Sequence, residues 1–151
     1  MVLAVLAPAL LAGCGSVDRS AADKALDNAT TLARADVEKA RSVLEQSLRT
    51  FAAPERARAE AAGHIPSFGR VTVAGSTVAG GEVQLDVVAI DWADGTDGFS
   101  HAGSMVRICA RLAGRPGRDA TATKADRPCP ADAPTAVPSI GSVTTTVPLE
   151  P

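Results

Sequence analysis

Apolar residues recur at helical spacing in the first third of the chain. They fall within a stripe about 80° wide when successive residues are placed 100° apart on a helix. The stripe contains Leu26, Ala33, Val37, Ala40, Leu44, Leu48 and Phe51. Ser20 and Asp23 precede it in the manner of a capping box, with an acidic residue in the first turn. The pattern predicts a long helix from about residue 21 to Ala52.

Pro54 interrupts this pattern because a proline has no amide hydrogen to donate and its ring clashes with the preceding turn. A proline is well suited to the first turn of a new helix, so a short second helix is expected over Pro54–Ala62. Gly63 is expected to end it, and Pro66 prevents its resumption. Residues 20–63 are therefore predicted to form a helical segment.

Apolar and polar residues alternate from Phe68 onward, which indicates strands. Val71 and Val73 belong to the first strand, and Gly80-Gly81 predicts a two-residue hairpin turn. The second strand is expected over Glu82–Trp92 and the third over Ser104–Leu112, with a loop at Ala93–Gly103 between them. The apolar side of the second strand changes at Val87-Val88, which predicts either a bulge or burial on both faces.

These elements predict an α+β fold: a long N-terminal helix and a short helix packed on a three-stranded antiparallel sheet. The sheet region, residues 67–130, forms one domain with residues 20–63. Residues 131–151 are rich in Pro and Thr and are expected to be a disordered tail. Within the tail, Val143–Val147 is an alternative edge strand.

The helical stripe has two interpretations. It either docks on the sheet as a core face, or it forms a coiled-coil seam that makes a homodimer through Leu44, Leu48 and Phe51. Alanines at 33 and 40 make the face thin, which permits close approach but buries little surface.

An apolar run at the start of the chain ends in Leu11-Ala12-Gly13-Cys14. This tetrapeptide resembles the lipobox of bacterial lipoproteins. The resemblance implies that residues 1–13 are a signal peptide, that Cys14 is lipidated, and that residues 14–19 tether the domain to a cell membrane on its extracytoplasmic side. No Lys or Arg precedes Cys14, so we expect the natural signal to be longer.

Lipidation of Cys14 leaves Cys109 and Cys129 as a pair. Exported proteins meet an oxidising environment, so a Cys109–Cys129 disulfide is expected. Because Cys109 falls on the face of the third strand opposite Val106 and Ile108, the bond would hold the C-terminal segment across the outer side of the sheet.

The composition argues against several function classes. The net charge is −2, from 15 basic and 17 acidic residues, and aromatic residues make up only 3% of the chain. The chain has no basic patch interleaved with aromatic residues, so nucleic-acid binding is not predicted. The chain has no Cys-x-x-Cys spacing and no histidine near either cysteine, so no metal site is predicted. It also has no cofactor motif.

The richest polar stretch runs from Asp91 to His101, with Trp92, Asp94 and Asp97 within it. We interpret it as a candidate binding loop, with Trp92 and Phe99 covering a small core beside it. An alternative is an envelope hydrolase that uses His101 with Asp94 or Asp97. The preferred prediction is a lipid-anchored binding or scaffolding module without catalytic residues, whose partner is an unidentified envelope protein or ligand.

Overall fold

The computed structural model describes residues 20–68, 70–137, 141–142 and 145–150, and it places two helices on one face of an antiparallel sheet. The fold is therefore α+β, as predicted. The predicted signal peptide, Cys14 and the predicted tether before Ser20 lie outside the described residues. The helices are α1 (Ala21–Thr50) and α2 (Pro54–His64), followed by a 3₁₀ turn (Ile65–Phe68). The strands are β1 (Val71–Ala79), β2 (Glu82–Thr96), β3 (His101–Gly114), β4 (Thr123–Asp126), β5 (Ala136–Val137), β6 (Gly141–Ser142) and β7 (Thr145–Thr146).

Helix α1 docks on the sheet, so the core interpretation of its stripe is confirmed. Ser20 caps the helix by accepting a hydrogen bond from the Asp23 amide at 3.2 Å. Leu44 and Leu48 are fully buried in the chain's own core, so neither side chain is free to form the predicted dimer seam. Phe51 is only partly buried. The buried stripe comprises Ala21, Ala25, Ala29, Ala33, Val37, Ala40, Leu44 and Leu48.

Helix α2 is longer than predicted. It runs through Gly63, which was expected to end it, and continues to His64. Pro66 then lies in the 3₁₀ turn, where a proline near the start of the turn loses no required hydrogen bond. The two predicted helices are thus present, with boundaries moved by two residues.

The sheet has the order β1-β2-β3-β4, and the predicted hairpin turn joins β1 to β2. Gly80 and Gly81 have φ angles of 57° and 81°, a conformation that glycine adopts without strain. Strand β2 pairs with β3 without a break. The bulge lies in β1, between Val73 and Gly75, and the centre of β2 is instead buried on both faces.

We call the sheet face covered by the helices the inner face and the opposite one the outer face. The main core lies on the inner face. A smaller cluster lies on the outer face and consists of Val88, Ile90, Met105, Cys109 and Ala133, with Cys129 packed against it. The predicted Cys109–Cys129 disulfide is present there. The Arg127 amide also donates to the Cys109 carbonyl at 3.1 Å, so the segment after β4 is held across the outer face.

The sheet has more strands than the three predicted, because chain beyond residue 114 adds to the free edge of β3. Strand β4 pairs with the C-terminal half of β3, and β7 pairs in parallel with Val106 and Arg107. The predicted disorder of the tail does not hold for residues 145–150. Leu149 is buried, and its amide donates to Asp126 Oδ1 at 2.6 Å. The pairing of β7 with β3, the hydrogen bond from the Val147 amide to the Arg107 carbonyl at 3.0 Å and the burial of Leu149 together dock a segment whose composition indicates disorder.

Candidate functional site

The predicted loop at Ala93–Gly103 is mostly strand. Strand β2 continues to Thr96 and β3 begins at His101, so only residues 97–100 form a turn. The prediction was wrong because Ala93 and Gly95 are small and do not look like core residues. Both face the inner side, where α1 approaches so closely that larger residues would not fit.

The five predicted site residues do not converge. Asp91 points into the inner layer, where its side chain is 1% exposed. Trp92 and Asp94 lie at alternate positions on the outer face, and both are exposed. Asp97 begins the turn, and His101 lies opposite Thr96 on the exposed end of the hairpin. Asp91 therefore belongs to a different environment, and the other four are spread along the exposed end of the hairpin, from Trp92 on the outer face to Asp97 in the turn. We define this turn, residues 97–100, as the hairpin tip.

The Asp97 side chain closes the turn at the hairpin tip. Its carboxylate accepts hydrogen bonds from the Ser100 amide at 2.9 Å and the Phe99 amide at 3.4 Å. These donors, led by Ser100, hold the pKa of the Asp97 carboxyl below its usual value. Gly98 supplies the positive φ of 96° that the turn requires.

The tip carries a fully exposed aromatic side chain. Phe99 has a relative exposure of 103%, so it does not cover a small core as predicted. Trp92 is 39% exposed on the outer face and lies beside Gly103, where an added Cβ would approach its Nε1 to 2.9 Å. A chain with so few aromatic residues therefore exposes two of them on one hairpin. The sequence signal for this was the polar neighbourhood of Phe99, between Gly98 and Ser100.

The hairpin tip lies beside the start of α1. The Ala21 amide contributes to lowering the pKa of Asp97, and Asn28 Nδ2 donates to the Asp94 carbonyl at 2.9 Å. The tip and the first turns of α1 are therefore neighbours. The surrounding charge is acidic, with four carboxylates and one ammonium group: Asp23, Asp27, Asp94, Asp97 and Lys24.

The hydrolase alternative is not supported by this geometry. Within the described residues, no hydrogen bond or ion pair joins His101 to Asp94 or Asp97, and the Asp97 carboxylate is occupied by the turn amides. A histidine that acts as general base needs a hydrogen-bonded partner to orient it. Nothing in this arrangement prepares His101 for that role.

Asp91 is the most unusual charged residue of the fold. One carboxylate oxygen contacts Arg70 Nη1 at 2.5 Å, while the other, Oδ2, is buried without a hydrogen-bond partner. Burial raises the pKa of the Asp91 carboxyl despite the Arg70 contact, and the nearby charge of Asp36 raises it further. This cluster was not predicted, because Asp36 in α1, Arg70 before β1 and Asp91 in β2 are distant from one another in the sequence.

We expect Asp91→Asn to be at least as stable as the wild type at neutral pH. A raised pKa in the folded state means that protonated Asp91 favours folding at low pH, and that this contribution is lost as pH rises through the folded-state pKa. Asparagine resembles the protonated form at every pH. Urea unfolding from about pH 4 to about pH 7 should show the wild type losing stability relative to Asp91→Asn.

Asp36→Asn is the control, because removing the neighbouring charge should move the same trend to lower pH. If Asp91→Asn is instead less stable than the wild type at pH 7, the contact with Arg70 outweighs the cost of burial.

A second charged cluster ties the outer face together. The Asp86 carboxylate accepts hydrogen bonds from Arg111 Nε at 2.8 Å and Nη2 at 3.2 Å, and from Arg127 Nη1 at 2.6 Å. These contacts join β2, β3 and the segment that carries Cys129. Since each guanidinium is already paired with Asp86, we interpret the cluster as structural.

Comparison with protein-family models, curated proteins and solved structures finds no match to this chain. Among the described residues, neither helix combines the length and apolar character needed to cross a bilayer. In the same residues, no group of three or more acidic, histidine or cysteine side chains is arranged to hold a metal ion. The features of this chain that bear on its function are the lipobox resemblance, the disulfide and the hairpin tip.

Proposed function

We propose that this protein is a lipid-anchored extracytoplasmic binding module that presents its hairpin tip to a partner protein. The observation that carries the proposal is the fully exposed Phe99, held on a turn beside the first turns of α1. Aromatic side chains, phenylalanine among them, are enriched at the centres of protein interfaces. Hydrogen bonds to the Asp97 carboxylate maintain the turn, so the turn does not depend on a contact between Phe99 and the core.

The disulfide supports the location. Cys109 and Cys129 are bonded to each other, which leaves Cys14 as the remaining cysteine of the chain. A structural disulfide is expected in an oxidising compartment, in agreement with the export that the lipobox resemblance implies. Cys14 as the first mature residue, with additional acyl chains, would give firm anchorage.

The position of the tip constrains the partner. Ser20 is six residues after Cys14, and an extended segment of that length spans about 20 Å. The tip would therefore act close to the membrane surface. Its acidic surroundings would repel anionic lipid headgroups and would favour a partner whose apolar pocket is bordered by Lys or Arg.

The anchor is tested by the mass of the N-terminal peptide from membrane fractions of cells that express the chain. We expect a diacylglyceryl-modified Cys14 in the membrane fraction. Cys14→Ala is the control, and the membrane fraction of cells that express it should contain no modified N-terminal peptide. An unmodified N-terminus in the cytosol of wild-type cells would contradict both the anchor and the location.

The binding face is tested by placing a photo-crosslinking amino acid at Phe99 in the lipidated protein. Leu32 is the matched control position, because it is an exposed apolar residue on α1 at 44% exposure. We expect a discrete protein adduct from position 99 and none from position 32. Adducts from both positions, adducts with lipid alone, or none from position 99 would contradict a specific protein partner.

A further inference from the structure

Strand β1 lies at an edge of the sheet and contains no charged residue. No residue from Val71 to Gly81 is charged, and no proline interrupts the stretch. The central strands β2 and β3 both contain charged residues, and β4 at the other edge contains Lys124 and Asp126. Edge strands usually carry charges or proline to prevent pairing with another chain. Strand β4 follows this rule, whereas β1 does not.

The backbone of β1 offers hydrogen-bonding groups at this edge. Ala79 and Glu82 flank the two-residue turn and form a hydrogen-bonded pair, so Thr77 and Gly75 also bond toward β2. The amide and carbonyl groups of Ser76 and Val78 consequently point away from the sheet. The bulge between Val73 and Gly75 limits the regular edge to residues 75–79, and no strand among the described residues pairs with it.

The side chains of β1 are also incompletely covered. Val73 and Val78 pack against the main core but are only partly buried, and Thr77 is exposed. Helix α2 covers the inner face as far as Ser76, whose Oγ accepts from Arg58 Nη1 at 2.8 Å. A further strand beyond β1 would pair the open backbone groups and complete the burial of Val78.

We propose that β1 pairs antiparallel with β1 of a second copy of this chain, which joins two five-stranded sheets into one. Antiparallel self-pairing places uncharged residues opposite each other along the whole contact. Arg70 of each copy then lies near Glu82 of the other, whereas parallel pairing would bring two Arg70 side chains together. Arg115 donates a hydrogen bond to the carbonyl of Gly80, in the turn that precedes Glu82. This end of β1 therefore has one acidic residue, Glu82, and one basic residue, Arg115, beside it.

This interface is small, so the dimer is expected to be weak and reversible. It does not depend on the proposed partner of the hairpin tip, because β1 and the tip are separate surfaces. Confinement to a membrane would raise the effective concentration of the copies and favour pairing.

The test is sedimentation of the disulfide-bonded chain that begins at residue 14, with Cys14→Ser to prevent lipidation. The described core is built from residues 21–149, so this chain keeps every core contact. We expect a concentration-dependent dimer between about 1 and about 200 µM. Thr77→Lys should raise the dissociation constant by about tenfold or more, because it places a strongly hydrated charge beside the pairing edge.

Thr123→Lys is the matched control, since it makes the same change on β4 at the opposite edge and should leave the dimer unchanged. Hydrogen exchange of the Ser76 and Val78 amides should slow only as the protein concentration rises. A monomer over the whole concentration range would overturn the proposal. So would a dimer that is insensitive to Thr77→Lys, or equally weakened by both variants when both retain the wild-type circular dichroism spectrum.

Discussion

Replacing Gly95 with alanine is expected to lower the free energy of unfolding by about 3 kcal/mol, the upper end of the usual cost of overpacking. A Cβ at this position would overlap the Ala21 carbonyl oxygen and the Ala25 amide nitrogen. Both atoms belong to the backbone of α1, so no side-chain rotation can relieve the contact. The first turns of the helix would have to move away from β2.

The same displacement should alter the hairpin tip. Gly95 lies two residues before Asp97, whose carboxylate is influenced by the Ala21 amide. If α1 shifts outward, this interaction and the hydrogen bond from Asn28 to the Asp94 carbonyl should weaken together. We therefore expect faster hydrogen exchange of the Ser100 amide in Gly95→Ala, in addition to the loss of stability.

Gly63→Ala is the matched control. Gly63 lies within α2, and an added Cβ would meet no atom within 4 Å. Alanine should stabilise the helix by about 0.5–1 kcal/mol because it has less conformational freedom to lose on folding. Urea unfolding of both variants gives the comparison. Equal stability of Gly95→Ala and the wild type would show that α1 does not need its close approach to β2.

The fold was largely predictable wherever local pattern and tertiary packing agree. The stripe through Val37, Leu44 and Leu48 indicated a buried helix face, and Gly80-Gly81 indicated a hairpin turn. Alternation around Ile108 predicted the inner and outer faces of β3, and with them the position of Cys109. In each case, residues close to one another in the sequence determine which side of the helix or strand is apolar.

Prediction failed where small residues carry the packing. Ala21, Ala25 and Ala29 face the sheet, although Leu26 is larger and more apolar, because only alanine permits the close approach to Gly95. Such a contact depends on two elements that are distant in sequence, so neither pattern reveals it alone. The extended ends of β2 and β3 were missed for the same reason.

The sequence did not reveal the geometry of the candidate site. The prediction of one binding loop hid the difference between Asp91 and Asp94, because strand alternation continues to Thr96 and turns Asp91 inward and Asp94 outward. It also assigned Phe99 to a core, since exposed and buried aromatic residues look alike in sequence. The ion pair of Asp91 with Arg70 requires knowledge of the sheet register.

Removal of the disulfide is expected to have an effect of similar size to that of Gly95→Ala. The double variant Cys109→Ala with Cys129→Ala should lose about 3 kcal/mol of unfolding free energy, from the entropy gained by an unfolded chain without a closed loop. The bond spans a sequence separation of 20 residues. Cys109 is also part of the outer-face cluster, so its removal additionally leaves Val88 and Met105 less well packed.

Urea unfolding of the oxidised chain, the reduced chain and the double variant distinguishes these contributions. Reduction opens the loop but keeps both sulfur atoms, so any further loss in the double variant measures packing. The Arg127 amide, which donates to the Cys109 carbonyl, should exchange faster in both reduced and variant chains. A loss below about 1 kcal/mol would mean that the Asp86 cluster and β4 hold the segment without the covalent bond. A loss of the expected size is a substantial fraction of the stability of a small domain, so a chain retained in a reducing compartment would be markedly less stable than one that is exported.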